Sequence, residues 1–300
     1  MLGQVLKFKA LGTVWQISTK FRIPKALEQE LLKIIEYFEQ NYSRFRPDSK
    51  LSLLNNQKTL KDASPEMIEM LQFALKLNRL SGGIFNPSVG AELEKRGYGQ
   101  PWVAESALSN QLSKDLQIDG TTIKLNSKIR LDFGGFGKGW LVDKVHDFLV
   151  ATQIPAHIIN AGGDLYVGSE LEEVYLEHPH DPKMSIGSLK LKSTGFSTSS
   201  KLKRTWLSSS GRLESHIINP LSLNADSSNM LGGGASTQKN NLPIQASCLA
   251  ENCLYSDVCA TLLLLASPED LTDVLHELKV QYLLIFEDLT FALSQNLNLS

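Results

Sequence analysis

Apolar residues recur along this chain with two periods, and the points where the period changes mark its elements. A period of two runs through residues 5–10 and 13–17 around Leu11-Gly12, which predicts a β-hairpin. After Pro24 the period lengthens to that of a helix. Leu27, Leu31, Ile34, Ile35 and Phe38 form one stripe, with the proline expected at the first helical position. Pro47 interrupts, and Ser49 is placed to cap a short helix beyond it. Ser64-Pro65 reads as an N-cap and first-turn proline of a long helix through Ile68, Leu71, Ala74 and Leu75, stopped at Gly82-Gly83. Residues 85–90 read as a loop, and residues 91–120 are mixed and polar without a periodic signal.

In the second half, strand-like runs at 122–125 and 129–131 lead into Leu131-Asp132-Phe133-Gly134-Gly135-Phe136-Gly137-Lys138-Gly139-Trp140. A helix follows, with Leu141, Val145, Phe148 and Leu149 on one face. A buried strand at 156–160 ends in Ala161-Gly162-Gly163-Asp164, and short strands are expected at 165–168, 174–177, 187–191 and 195–198. Residues 215–220 bring His216 onto a strand end. Residues 221–242, rich in Ser, Asn and Gly, read as a mobile surface loop. A strand at 242–247, a very apolar helix over 250–267, a helix begun by Pro268 and a hairpin of 282–286 with 289–293 complete the chain. With no internal repeat or linker, residues 1–300 are expected to form one α+β domain. Its antiparallel β-sheets are expected to pack with long helices.

Composition narrows the function classes. At 300 residues and 42% hydrophobic content the chain can bury a full core. A net charge of -2 gives no general reason to expect nucleic acid or an anionic membrane as partner. The longest apolar run, residues 258–266, is too short for a transmembrane segment. The start lacks a basic segment followed by an apolar stretch and cleavage site, and carries no lipid-attachment cysteine. The expected location is cytoplasmic as written, and periplasmic or extracytoplasmic for a trimmed mature form. Cys248, Cys253 and Cys259 have no histidine partners at zinc spacing and are expected as buried free thiols.

The chemistry concentrates in residues 134–139, where four glycines and Lys138 occupy six positions. A strand that turns through glycines into a helix presents bare N–H groups and a helix N-terminus to an anion, and a lysine adds a point charge. The spacing is neither that of a P-loop nor that of a dinucleotide fingerprint. Asp257 and Thr261, four apart on the apolar helix, face the same way. They fit either as oxygen donors to Mg²⁺ or as a carboxylate interacting with a helix start and water. His216 is either catalytic or a satisfied structural histidine. Residues 197–200 offer hydroxyls to phosphate or ribose, or a polar edge. Arg44 and Arg46 either clamp a nucleotide or form a solvated face.

Taken in order, seven segments resemble the ApbE family, the FAD:protein FMN transferases. Ser43-Arg44-Phe45-Arg46-Pro47-Asp48-Ser49 through Asn55 is similar to its S-x-Y-x-P-x-S block. Gly83-Ile84-Phe85-Asn86-Pro87-Ser88-Val89-Gly90 is similar to G-x-F-D-P-T-V-G. Residues 131–144 are similar to L-D-x-G-[GA]-x-A-K-G-[YW]-x-x-D, and residues 160–164 to N-A-G-G-D. Thr198-Ser199 resembles part of A-T-S-G, His216 to Pro220 resembles H-I-I-D-P, and Asp257 to Thr261 falls in a final A-D-A-x-[AS]-T-A helix.

The resemblance implies a Mg²⁺-dependent enzyme, with the cofactor in a cleft between two lobes, that moves FMN from FAD onto a Thr or Ser hydroxyl of a flavoprotein and releases AMP. It implies Asp257, Thr261 and the main-chain carbonyl near Gly135 as metal donors. Lys138 and His216 become the catalytic candidates, and Phe45, Gly134, Gly135, Lys138, Asp164, Thr198 and Ser199 the FAD-binding ones. The acceptor motif expected of its partners is Thr/Ser-Gly-Ala-Ser/Thr after an acidic residue. Gly233-Gly234-Ala235-Ser236 comes close without the first hydroxyl, so self-flavinylation is not expected. An FAD pyrophosphatase and a catalytically decayed flavin-binding protein are the alternatives. The second draws on Asn86 and Asn219, which stand where the family motif has Asp.

Overall fold

The computed structural model describes residues 3–99, 105–203, 205–207, 211, 213–224, 242–295 and 297. In chain order its elements are β1 (Gln4–Ala10), β2 (Thr13–Thr19), α1 (Lys25–Tyr42), α2 (Lys50–Gln57), β3 (Thr59–Leu60) and α3 (Pro65–Leu80). Next come α4 (Gly90–Lys95), α5 (Leu112–Asp115), β4 (Leu116–Asp119), β5 (Thr122–Leu125), α6 (Gly137–Ala151), β6 (His157–Asn160) and β7 (Asp164–Val167). They are followed by β8 (Glu172–Glu177), β9 (Ser185–Leu191), β10 (Thr194–Ser200), β11 (Thr205–Leu207), β12 (Leu213–Ser215) and α7 (Pro220–Asn224). The last are β13 (Gln245–Ala250), α8 (Cys253–Leu262), α9 (Thr272–Glu277), β14 (Gln281–Ile285) and β15 (Phe291–Leu293).

An eight-stranded sheet in the order β1-β2-β6-β7-β10-β13-β14-β15 organises the fold, and every pairing in it is antiparallel. Its period-two residues divide between two apolar layers, as alternation requires. Tyr166, Ala246, Cys248 and Leu284 face the main core under the helices, where Trp15, Leu31, Met67, Leu141 and Val258 are fully buried. Val167, Phe196, Leu283 and Ile285 face a smaller core with Leu176, Leu189 and Leu191 of the β8–β9 hairpin. This is the α+β architecture expected from the sequence.

Local chemistry fixes most element ends. The Ser49 hydroxyl accepts from the Ser52 N–H at 3.0 Å, and that of Ser64 from the Met67 N–H at 3.2 Å with Pro65 in the first turn. Pro24 sits at the N-cap of α1, one place before the expected position. The three cysteines are free and buried.

Several expectations are corrected. The strand expected at 242–247 lies three residues later as β13. The apolar helix is α8 alone, because Asn252 caps it by accepting from the Tyr255 N–H and tight turns follow Leu262. Pro268 is followed by a turn, and α9 begins at Thr272. Within the expected loop at 221–242, residues 221–224 belong to α7. Residues 225–241, with the sequence Gly233-Gly234-Ala235-Ser236, lie outside the described residues.

Beneath the sheet, His157 is buried between the Ile154 carbonyl, 2.7 Å from Nδ1, and Nδ1 of His146, 2.9 Å from Nε2. The carbonyl only accepts, so His157 Nδ1 carries the proton and Nε2 accepts from His146. Burial, reinforced by His146, lowers the His157 pKa to about 4. The native state therefore resists a proton that the unfolded chain takes up near pH 6.5. The His157 contribution to stability should be intact above that pH and decline by roughly 3 kcal/mol as pH falls towards 4. Asp143, whose carboxyl burial lifts to about 7, acts in the opposite sense over this window. The check is therefore differential: unfolding free energies of the wild type and His157→Asn should converge or cross as pH drops from 7 to 4.

Candidate active site

The glycine turn is built around two side chains that hold its backbone. Residues 129–131 are expected as a strand but form only a single bridge, Arg130 to Val89. Asn55 takes the place of a partner strand: its Nδ2 donates to the Leu131 carbonyl at 2.9 Å and its Oδ1 accepts from the Leu131 N–H at 2.7 Å. One residue on, the Asp132 carboxylate accepts from the Gly134 N–H at 2.6 Å and from Nε of Arg44. Arg44 also donates to the Tyr98 carbonyl at 2.9 Å. This guanidinium is buried, which excludes the solvated-face reading for Arg44. Arg46, with a side chain 44% exposed, is the solvated one of the two.

Helix α6 starts where this turn ends, and α8 crosses it closely. Gly139, in the first turn of α6, has an N–H that the helix itself cannot satisfy. It donates to Asp257 Oδ2 at 2.9 Å. A side chain at 139 would place its Cβ 2.7 Å from Leu254 Cα and 2.8 Å from the Cys253 carbonyl, both main chain. Gly139→Ala must therefore push α6 and α8 apart. It is expected to lower stability by about 1–3 kcal/mol in denaturant unfolding.

The same crossing sets the charges. The Lys138 ammonium pairs with Asp164 and lies 3.9 Å from Asp257 Oδ1, so the mobile point charge foreseen from the sequence is held between two buried carboxylates. That group of three carries a net charge of one negative. Thr261, one turn beyond Asp257, meets the Ser199 hydroxyl at 3.1 Å, and Thr198 meets Ser247 at 2.8 Å. The hydroxyls of Ser199 and of Ser197, which meets Ser256 at 3.0 Å, thus lie along α8, whereas that of Thr198 turns to β13. Among the described residues no three His, Cys, Asp or Glu side chains converge as a metal-binding group. The oxygens gathered here are instead the carboxylates of Asp164 and Asp257 and the hydroxyls of Ser199 and Thr261.

An aromatic rim closes one side. The Phe45 ring is half exposed, meets Tyr98 edge-on at 5.6 Å and lies 4.5 Å from the Arg44 guanidinium carbon. Tyr98 stacks on Trp206 at 4.9 Å. His216 follows β12 and faces the same hollow. The two asparagines that stand where the family motif has aspartate use both ends of their amides. Asn86 donates to the Ser109 carbonyl at 2.8 Å and accepts from the Ser88 N–H and hydroxyl at 3.0 and 2.7 Å. Asn219 donates to the Leu265 carbonyl at 3.3 Å and accepts from the Leu221 N–H at 3.0 Å. An ionised carboxylate could not make the donating bond in either place.

These parts enclose one cleft of about 920 Å³. It brings together Phe45, Gly134, Gly135 and Lys138 from the first half of the chain and Asp164, Thr198, Ser199, His216, Asp257 and Thr261 from the second. Sequence reasoning missed Tyr98 and Trp206, which also line it. The polar stretch around Tyr98 offered no periodic signal, and Trp206 is brought there by β11.

Comparison with known proteins gives one consistent picture. The family model described as "ApbE family" matches residues 11–284. A Rhodobacter capsulatus protein named FAD:protein FMN transferase is 25% identical over 303 residues, covering 94% of this chain and 55% of its own length. A Chlamydia muridarum protein of the same name is 25% identical over 272 residues, covering 84% and 78%. This chain thus spans about half of the first relative and about three-quarters of the second. Among solved structures, the ApbE protein of Thermotoga maritima superposes with a TM-score of 0.79 at 18% identity, covering 97% of each chain. The flavin transferase ApbE of Vibrio cholerae gives 0.74 at 21% identity, covering 97% of this chain and 96% of that one. At these identities the structures establish the fold.

Proposed function

This chain belongs to the ApbE family, and from that premise we propose that it is an FAD:protein FMN transferase. In this reading FMN passes from FAD to a Thr or Ser hydroxyl of an acceptor flavoprotein carrying a Thr/Ser-Gly-Ala-Ser/Thr type motif, and AMP leaves. One observation carries it: the residues that the family pattern singles out, dispersed from Phe45 to Thr261, line a single cleft. The names of the relatives support the same reaction.

The acceptor hydroxyl oxygen forms a bond to the FMN phosphorus as the bond from that phosphorus to the bridging oxygen breaks. His216, on the cleft wall, takes the hydroxyl proton. Lys138 balances the charge that gathers on the departing AMP phosphate. The half-exposed face of Phe45, backed by the Arg44 cation, suits a planar ring.

The donor set fits Mg²⁺, a hard cation that takes few protein oxygens and completes its shell with substrate phosphate and water. Asp257, Thr261 and the main-chain oxygen near Gly135 would hold it. It would supply Lewis-acid stabilisation of the pyrophosphate. With it, the net charge of the Lys138–Asp164–Asp257 group turns positive and matches an anionic substrate.

Incubation with FAD, Mg²⁺ and an acceptor peptide, followed by mass spectrometry of the peptide and chromatography of nucleotides, tests the reading. FMN-labelled peptide with equal AMP is expected. AMP and free FMN without labelled peptide would make the protein an FAD pyrophosphatase, and neither product would contradict enzymatic function.

A further inference from the structure

Asp143, on α6 and away from the residues assigned above, places its carboxylate at the start of the neighbouring helix. Oδ1 accepts from the Cys253 N–H at 2.7 Å and Oδ2 from the Leu254 N–H at 2.8 Å. The next N–H of α8, that of Tyr255, goes to the Asn252 side chain at 2.8 Å. The opening N–H groups of α8, which no helix satisfies internally, are thus taken up, two of them by a residue of another element. The exchange runs both ways, because Asp257 of α8 accepts from the Gly139 N–H in the first turn of α6. Each helix supplies the carboxylate that caps the other, and each carboxylate lies at the positive end of its partner's dipole.

Asp143 has little latitude. Across the crossing, a Cβ at Gly139 would strike Leu254 Cα at 2.7 Å. On the far side, a Cβ at Gly195 of β10 would strike the Asn252 carbonyl carbon at 2.2 Å and the Cys253 nitrogen at 2.4 Å. The first turn of α8 is therefore pressed between α6 and β10, and the Asp143 carboxyl oxygens hold its first two N–H groups there. Asp257 lies one turn further along the same helix, and Thr261 one turn beyond that.

We propose that Asp143 is the positioning residue of this site: through the N-terminus of α8 it sets where Asp257 and Thr261 stand in the cleft. The extension to the metal rests on the function proposed above, whereas the placement of Asp257 does not.

Two readouts separate them. The first needs no ligand: amide hydrogen exchange at Gly139, whose N–H goes to Asp257 and not to the Asp143 carboxylate. In Asp143→Ala the Gly139 amide should exchange about tenfold faster, because Asp257 moves away from it. Asp143→Asn, which keeps one acceptor oxygen, should recover part of the protection. Ile123→Ala, a core change in β5, serves as the control for general loss of stability. Gly139 protection unchanged in Asp143→Ala, or lost equally in Ile123→Ala, would overturn the positioning role. The second readout is Mn²⁺ affinity by electron paramagnetic resonance, expected to weaken about tenfold or more in Asp143→Ala. Wild-type affinity in a variant that has lost Gly139 protection would overturn the link to the metal. A wild-type protein that takes up no Mn²⁺ would instead fail the function proposed above, and the exchange result would still decide the positioning role.

Discussion

Asp257→Ala is expected to reduce FMN transfer by roughly a hundred- to a thousandfold in kcat, the scale on which removal of one charge-stabilising group is felt. The carboxylate has two tasks that the alanine variant loses together: it accepts the Gly139 N–H, and it faces Lys138 from 3.9 Å. Asp257→Asn separates them. Its amide oxygen still accepts from Gly139, so its unfolding free energy should stay within about 1 kcal/mol of the wild type, the scale of one capping bond. Its turnover should fall nearly as far as that of the alanine variant, because the negative charge is gone. Steady-state kinetics and denaturant unfolding on the two variants check the separation. An asparagine variant with full turnover would show that the charge of Asp257 has no part in the reaction.

The largest loss of stability is expected at Asp132. Its carboxylate pairs with Arg44 where the two side chains are 10% and 3% exposed, and it holds the Gly134 N–H as well. Asp132→Ala would leave a buried guanidinium without its counter-charge, which costs about 3–5 kcal/mol. The double variant Arg44→Met with Asp132→Leu removes both charges and should recover a large part of that loss. Urea unfolding of the single and double variants measures it. If the double variant were less stable than Asp132→Ala alone, packing rather than charge would be what the pair supplies. Activity should be lost in both, since the glycine turn loses the acceptor that shapes it.

What could be read ahead of the structure was what the chain settles over short distances. The Ser49 and Ser64 caps, the proline in the first turn of α3, the β1–β2 hairpin and the glycine turn into α6 are decided by neighbours within about four residues. The candidate site was legible through ordered motifs, each of which is a local device. Where a side chain from far away took over, reading failed. Residues 129–131 look like a strand, but Asn55 supplies the hydrogen bonds that a strand would have given. Arg44 looks like one of two surface arginines until Asp132, 88 positions on, draws it inside. Asp143 closes the motif of residues 131–144, but its task could not be read there, since its partners are main-chain N–H groups 110 and 111 residues later. The asparagines at 86 and 219 looked like lost charges, whereas the structure gives each a carbonyl that only an amide can satisfy.

A crystal of the protein grown with FAD and Mn²⁺ in place of Mg²⁺ tests the central claim most directly. The account predicts an anomalous peak at about 2.0–2.2 Å from oxygens of Asp257 and Thr261, with the FAD pyrophosphate between it and the glycine turn. A metal bound elsewhere, or FAD lying outside the cleft bounded by Phe45, Lys138 and His216, would contradict it.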